Sequence, residues 1–121
     1  MTQHVERMQD RLYHDMILPE ETQEIRAKAR EFANRIVAPR AYEIATTPES
    51  RDSFAWDVFK ALAEEDFFKI PYPSEVGGLG LKYPCCATVV TVEELAYASN
   101  SIAAVYDVHC ILAGHALEYG S

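Results

Sequence analysis

The sequence predicts an all-α fold, a small helical bundle, on three observations. Apolar residues recur at steps of three and four along most of the chain, and this spacing puts them on one face of a helix. No segment of useful length alternates apolar and polar residues as a half-buried strand does. Proline and glycine punctuate the pattern where loops are expected. At 121 residues, 49% of them hydrophobic, the chain is long enough for one domain with a modest core.

The amino-terminal segment, residues 1–17, is predicted to be an extra helix or a mobile arm. Its apolar residues follow helical spacing and are Val5, Met8, Leu12 and Met16. The helical domain itself is predicted over residues 18–121. It begins at Leu18-Pro19-Glu20-Glu21, because proline and acidic side chains are favoured in the first turn of a helix.

The first helix of the domain has an apolar stripe, which consists of Ile25, Ala29, Phe32, Ala33 and Ile36. It is predicted to end at Pro39, which lacks the backbone N–H that a helix interior needs. After a loop at residues 46–50, Ser53 is the expected N-cap of the next helix. The buried face of that helix should consist of Phe54, Val58, Ala61 and Leu62.

Prolines and glycines cluster in residues 70–83, which are therefore predicted to form an extended loop. Pro84 opens the next helix, which runs to about residue 98 and is interrupted at Asn100-Ser101. A last helix is predicted over residues 101–119. It is apolar on nearly every side, and a bundle of this size cannot bury such a helix completely. An uncovered apolar face is therefore expected.

The charge balance argues against two classes of partner. With 11 basic and 19 acidic residues the net charge is −8, and the sequence has no basic run. Nucleic acids and anionic membranes both attract clusters of Lys and Arg, so neither is expected to bind. The longest apolar stretch, Ile102–Leu117, is too short and too polar to span a bilayer.

The cysteines and the amino terminus predict a reduced compartment, the bacterial cytoplasm or the mitochondrial matrix. The three cysteines are an odd count, and Cys85 adjoins Cys86, which is not a disulfide framework. Residues 1–15 carry charges throughout and lack the apolar core of a secretory signal.

Metal binding is not predicted. His115 and Glu118 share a helix face, as do Asp10 and His14. A di-iron bundle, however, requires Glu-x-x-His pairs from two helices together with further glutamates. One pair here runs in the reverse order, and the other lies in the amino-terminal segment.

Thiol catalysis is not predicted either. Cys110 lies beside His109, but neighbouring residues of a helix point apart, so Cys110 is expected to be a buried structural thiol. Cys85 and Cys86 are expected to pack near a helix start. The run Gly77-Gly78-Leu79-Gly80 lacks the lysine and the spacing of a phosphate loop, and indicates a turn with positive φ.

Four stretches take the interpretation further. Residues 70–81 read I-P-Y-P-S-E-V-G-G-L-G-L, and residues 93–98 read E-E-L-A-Y-A. Residues 30–40 read R-E-F-A-N-R-I-V-A-P-R, and residues 59–68 read F-K-A-L-A-E-E-D-F-F. In their order along the chain and in their spacing, the four stretches resemble segments of the acyl-CoA dehydrogenases. The resemblance extends over about residues 18–121 and is to the amino-terminal helical domain of that family.

The resemblance implies a flavoprotein that takes the α-proton and the β-hydride from an acyl-CoA thioester. The hydride passes to FAD, and the electrons then pass to an electron-transferring flavoprotein. The family's subunit adds a β domain and a second helical domain, and commonly forms a homotetramer. The catalytic glutamate and most FAD contacts belong to those later domains. This chain is therefore expected to contain no catalytic residue and to be inactive alone.

The resemblance also implies that this chain supplies part of the wall of the acyl pocket. The aligned positions on the last helix are Ala103, Ala104 and Asp107. Two alanines leave room that larger residues would fill, so a medium, long or branched acyl group is favoured. Asp66 stands where the family usually has glycine at a helix C-terminus, and a positive φ is expected there if the turn is kept.

The residues alone leave a second function open. A helical domain with an exposed apolar face is also typical of a non-catalytic protein-interaction module. The presence or absence of a flavin domain in the same protein would distinguish the two.

Overall fold

The computed structural model describes Arg7, Met8, Asp10 and residues 17–120. Over this part of the chain it contains helices and loops and no strand, which confirms the all-α prediction. The helices, in chain order, are α1 (Glu20–Phe32), α2 (Ala38–Thr46), α3 (Trp56–Glu64), α4 (Pro84–Ala98), α5 (Asn100–Asp107) and α6 (Gly114–Glu118).

Two π-helical segments join helices into longer runs. The first π segment, Ala33–Val37, connects α1 to α2, and the second π segment, Val108–Ala113, connects α5 to α6. The long loop between α3 and α4 contains two 3-10 turns, Phe67–Lys69 and Ser74–Val76.

The core lies where α1 packs against α4 and α4 packs against α5. Its largest fully buried apolar side chains come from several elements and are Phe32, Leu62, Phe67, Ile70, Leu95 and Tyr106. Phe32 and Phe67 place their ring centroids 4.8 Å apart, which fixes the α3–α4 loop against α1. The Tyr106 hydroxyl donates to the carbonyl of Phe67 at 3.0 Å, so the buried phenol has a partner.

The predicted stripe of the first helix is confirmed. Ala29, Phe32 and Ala33 are fully buried, and Ile25 and Ile36 pack partly buried against the same core. The start at Glu20 also agrees with the sequence, since Pro19 is the N-cap and two glutamates follow in the first turn.

The prediction that Pro39 ends this helix is wrong. The helical run continues to Thr46, and Pro39 falls within the first turn of α2, where a missing N–H is tolerated. The π segment Ala33–Val37 precedes it directly and changes the hydrogen-bond register before the proline.

The prediction that Ser53 caps the next helix is also wrong. Helix α3 begins at Trp56, and its N-cap is Ala55, without a side-chain hydrogen bond. The Ser53 hydroxyl instead accepts from the N–H of Ser50 and donates to its carbonyl, closing a turn in the preceding loop. Phe54, expected on the buried helix face, lies before the helix and is 40% exposed.

The second half of the chain follows the sequence closely. Helix α4 runs from Pro84 to Ala98 as predicted, but the break falls at Ser99, whose hydroxyl caps α5 by accepting from the N–H of Ile102. Asp66 has φ 65°, which confirms the expected left-handed turn after α3.

The predicted amino-terminal helix or arm falls largely outside the described residues. Val5, Leu12 and Met16 of its apolar face are among those not described, whereas Met8 is 76% exposed. The division of the chain at residue 17 stays a prediction.

Candidate functional site

A surface cavity of about 550 Å³ lies between the α3–α4 loop and the last helical run. The loop side is formed by Phe68, Tyr72, Pro73 and Val76. The helix side spans the second π segment and α6, and is formed by His109, Cys110, Ala113, Gly114, Leu117 and Glu118. Most of these side chains are apolar, which suits an apolar ligand or a packed protein segment.

Tyr72 joins the two sides of this cavity. Its hydroxyl donates to the backbone carbonyl of Cys110 within the second π segment. Desolvation raises the pKa of Tyr72, so the phenol stays protonated and remains a donor. A Cβ added at Gly114 would lie 1.4 Å from the Tyr72 hydroxyl oxygen, so only glycine permits this close approach.

The glycine run shapes the same loop, as a turn rather than a phosphate site. Gly77 and Gly80 have φ values of 85° and 62°, which confirms the predicted positive φ. A Cβ at Gly78 would lie 2.0 Å from the Tyr72 carbonyl oxygen, so the backbone itself approaches closely there. These contacts bend the loop back on itself and hold Tyr72 in place.

An aromatic cluster borders the cavity. The His109 ring lies 4.7 Å from the ring centroid of Phe68 and 5.0 Å from that of Phe59. Phe68 stacks on Tyr106 at 5.8 Å, which links the cavity wall to the core. His109 therefore has a packing role among these rings.

The three residues predicted to line an acyl pocket lie within one turn of α5. Ala103 is only 2% exposed and packs in the core, whereas Ala104 is exposed and Asp107 is half-buried. Only the last two offer side-chain surface outside the bundle. The cavity described above begins beyond them, at His109, and none of the three lines it.

The three cysteines differ in how deeply they are buried. Cys110 is 3% exposed, as expected of a buried structural thiol, and desolvation raises its pKa to about 11. Cys85 and Cys86 are exposed, so the prediction that they pack near the start of α4 is wrong. They occupy the first turn on the outer side, while Ala87 is the nearest buried position.

The described residues contain no group of three or more His, Cys, Asp or Glu arranged to hold a metal ion. His115 and Glu118 instead pair with each other, at 2.7 Å between Nδ1 and a carboxylate oxygen. Asp10 binds two arginines, and His14 is outside the described part of the chain. Within the same part, no helix is long and apolar enough to cross a membrane.

The cavity lining does not fit FAD, the cofactor that the sequence resemblance implies. The pyrophosphate of FAD needs arginine, lysine or free backbone N–H groups. The lining offers the carboxylate of Glu118 and neither lysine nor arginine. No flavin contact is therefore assigned to these residues.

Sequence reasoning missed Tyr72, Gly114 and Leu117 as parts of one site. One signal was available, because Gly114 is the single glycine inside the last predicted helix. An isolated glycine within a helical pattern often marks a close approach by another element. Nothing in the sequence identifies Tyr72 as that element.

Comparison with known proteins places this fold in a family. The chain matches the family model described as "Acyl-CoA dehydrogenase, N-terminal domain" over residues 19–121. It is 34% identical over 91 residues to the 3-(aryl)acrylate reductase of Clostridium sporogenes, an alignment that covers 75% of this chain and 22% of that protein. It is 30% identical over 102 residues to the "Probable acyl-CoA dehydrogenase YngJ" of Bacillus subtilis, covering 84% of this chain and 25% of the relative.

No solved structure matches the chain. The chain spans about a quarter or less of the length of the two curated relatives, 22% and 25%. The family match covers residues 19–121, nearly all of the described helical fold. The chain belongs to the acyl-CoA dehydrogenase family, of which it carries the amino-terminal helical domain.

Proposed function

We propose that this chain is the amino-terminal part of an FAD-dependent enzyme that desaturates acyl-CoA thioesters between the α and β carbons. The observation that carries the proposal is the match to the family's amino-terminal domain over residues 19–121. The base, the FAD site and the transfer of electrons to an electron-transferring flavoprotein belong to other parts of such a protein. In that protein the subunits form a homo-oligomer.

Within this enzyme, the outer surface of α5 forms part of the acyl-pocket wall. Ala103 faces the core at 2% exposure, so it acts by keeping α5 close to its neighbours. Ala104 and Asp107 are the positions with surface to present to a ligand. The methyl group of Ala104 leaves space for an acyl chain, and the carboxylate of Asp107 marks the polar edge of that space.

The test is steady-state kinetics of the full-length protein with acyl-CoA thioesters of increasing chain length. Ala104→Leu should lower kcat/KM for the longest accepted thioester about tenfold or more relative to the shortest. A leucine removes the volume of several methylenes, and a single methylene in an apolar pocket accounts for about 10–200-fold in specificity.

The matched control is Ala27→Leu, the same change at an exposed position of α1. It should leave the ratio of long-chain to short-chain kcat/KM unchanged. If Ala104→Leu also leaves this ratio unchanged, α5 does not form part of the pocket wall. A full-length protein that holds no FAD and oxidises no acyl-CoA would overturn the proposed function itself.

The second candidate function is a non-catalytic protein-interaction module. It is favoured by the exposed apolar side chains of the last helical run, Leu112 at 62%, Leu117 at 83% and Tyr119 at 85%. In a multidomain enzyme the same face would pack against the rest of the subunit. A flavin-free full-length protein that retains a saturable partner on this face would favour the module.

A further inference from the structure

A cluster of charged side chains lies where α1 meets α4. Glu94 of α4 is fully buried, at 0% exposure. Its carboxylate accepts from the Arg30 guanidinium, with 2.8 Å and 3.1 Å between the paired atoms. Arg26 adds a third contact at 3.3 Å. Because an unpaired buried carboxylate is strongly unfavourable, Glu94 needs these arginines.

Two residues of the amino-terminal segment complete the cluster. Arg7 pairs with the second oxygen of Glu94, and its guanidinium lies 3.7 Å from the ring centroid of Tyr97. Asp10 binds Arg26 at 2.8 Å and Arg30 at 2.7 Å. The hydrogen bond from Arg30 holds the pKa of Asp10 below its usual range, so the carboxylate stays ionised at neutral pH.

Arg7 and Asp10 also form a turn of their own. The N–H of Asp10 donates to the carbonyl of Arg7 at 3.0 Å, and the N–H of Arg7 donates to the Asp10 carboxylate at 3.2 Å. This turn presents one cation and one anion, three residues apart, to a surface that carries two arginines and one glutamate. Each charge of the turn meets an opposite charge on that surface.

Among Arg7, Met8 and Asp10, the described residues of this turn, the charged side chains make the contact. Met8 is 76% exposed, whereas the Arg7 side chain is 8% exposed and that of Asp10 is 19% exposed. The two charged side chains, Arg7 and Asp10, are therefore far less exposed than Met8. Recognition through ionised, hydrogen-bonded pairs is both stronger and more specific in geometry than neutral hydrogen bonding.

We propose that Arg26, Arg30, Glu94 and Tyr97 form a recognition site for an Arg-x-x-Asp turn, and that this site holds the chain's own amino-terminal segment on the domain as a detachable latch. Two sets of ion pairs hold the turn: Arg7 pairs with Glu94, and Asp10 pairs with Arg26 and Arg30. When the latch opens, Glu94 keeps Arg26 and Arg30 as partners, so the helical domain stays folded.

The test is hydrogen exchange, read by mass spectrometry, on the full chain and its variants Asp10→Asn and Arg7→Gln. Each change removes one charge; Asp10→Asn also keeps the side-chain size, whereas Arg7→Gln shortens the side chain. We expect exchange in residues 1–16 to accelerate about tenfold or more in each variant, since charged hydrogen bonds contribute about this much to an equilibrium. Exchange in α4 around Glu94 should stay within about twofold of the native chain, because Glu94 keeps its contacts with Arg26 and Arg30.

The control is Glu24→Gln, which removes one charge from an exposed position of α1 and should leave residues 1–16 unchanged. A second measurement uses the native chain alone. Raising the NaCl concentration should accelerate exchange in residues 1–16, and should have no such effect in the variant that combines Asp10→Asn with Arg7→Gln.

Two results would overturn the proposal. Equal exchange in residues 1–16 of the native chain and both variants would mean that the turn does not hold the segment. Equal loss of protection in residues 1–16 and in α4 would mean that the pairs hold the whole domain together and that no detachable latch exists.

Discussion

Asp66 adopts φ 65° and ψ 18°, a left-handed conformation that side chains other than glycine enter with strain. One interaction, with Lys69, offsets part of that strain in this chain. The Asp66 carboxylate pairs with the Lys69 ammonium at 2.7 Å, and the hydrogen bond from Lys69 lowers the pKa of Asp66. Both partners are about half exposed, so the ion pair is screened by solvent.

Replacing Asp66 by glycine therefore has two opposing effects that a double-mutant cycle separates. In a Lys69→Ala background, Asp66→Gly should raise the urea midpoint by about 0.3–0.5 M, because the strain is relieved and no ion pair is lost. In the native background the rise should be smaller. Asp66→Asn is the control, since asparagine tolerates the same conformation without the charge.

A lower midpoint for Asp66→Gly in the Lys69→Ala background would contradict this account. It would mean that the gain in chain entropy of unfolded glycine outweighs the backbone strain at Asp66.

At the residue scale, the sequence predicted backbone conformations better than it predicted which side chains are buried. The positive φ at Gly77 follows from local steric rules, whereas the positive φ at Asp66 was expected from the family resemblance. The burial of Glu94 and the exposure of Cys85 depend on which elements pack nearby. Glu94 is preceded by another glutamate, and nothing local distinguishes the buried one from Glu93.

Helix α6 and the second π segment show how elements constrain each other. The Tyr72 ring occupies the space beside Gly114, and its hydroxyl takes the Cys110 carbonyl as acceptor. The π register at Val108–Ala113 and the loop are thereby coupled. Hydrogen-bond register within a helix is set by such tertiary contacts, so the sequence indicated a continuous helix and did not indicate the π segments.

The effect of Gly114→Ala on stability should change sign when Tyr72 is replaced. With Tyr72 in place, the added Cβ displaces the ring and should destabilise the chain by about 1–3 kcal/mol, as overpacking does. In a Tyr72→Ala background, the same change should stabilise it by about 0.5–1 kcal/mol, because alanine is the better helix former. Urea unfolding of the four chains measures both values.

The same sign in both backgrounds would mean that the loop moves away freely and that Tyr72 does not restrict Gly114. Tyr72→Phe serves as a further control. It keeps most of the ring but removes the hydroxyl oxygen that lies nearest to the added Cβ, so the destabilisation by Gly114→Ala should be smaller.

For the whole molecule, periodicity and breakers predicted the helical class, the loop at residues 70–83 and helix α4. The prediction failed at Pro39 because the π segment Ala33–Val37 directly precedes the proline, which then falls in the first turn of α2, where a missing N–H is tolerated. The candidate site was predicted less well. Its walls come from segments about forty residues apart in sequence, Tyr72 and Gly114, and no local pattern pairs them.

The last helical run leaves an apolar face uncovered, as its sequence predicted. Val108 is 53% exposed, Leu112 62%, Leu117 83% and Tyr119 85%. Exposed apolar patches of more than a few hundred Å² usually mark an interface. The 121-residue chain should therefore bind a hydrophobic dye or associate with itself.

Replacing Leu112 and Leu117 together by lysine should lower dye fluorescence to less than half and shift the chain toward monomer in sedimentation. Both side chains project into solvent, so the free energy of unfolding should change little. The matched control is Val89→Lys, an apolar residue of α4 that is 65% exposed on another face. Because this control adds a positive charge away from the last helical run, it separates the loss of the apolar face from a general effect of charge on association. Equal dye binding by the native chain and the double variant would mean that the dye binds to another surface. The apolar face of the last helical run would then not be accessible to the dye.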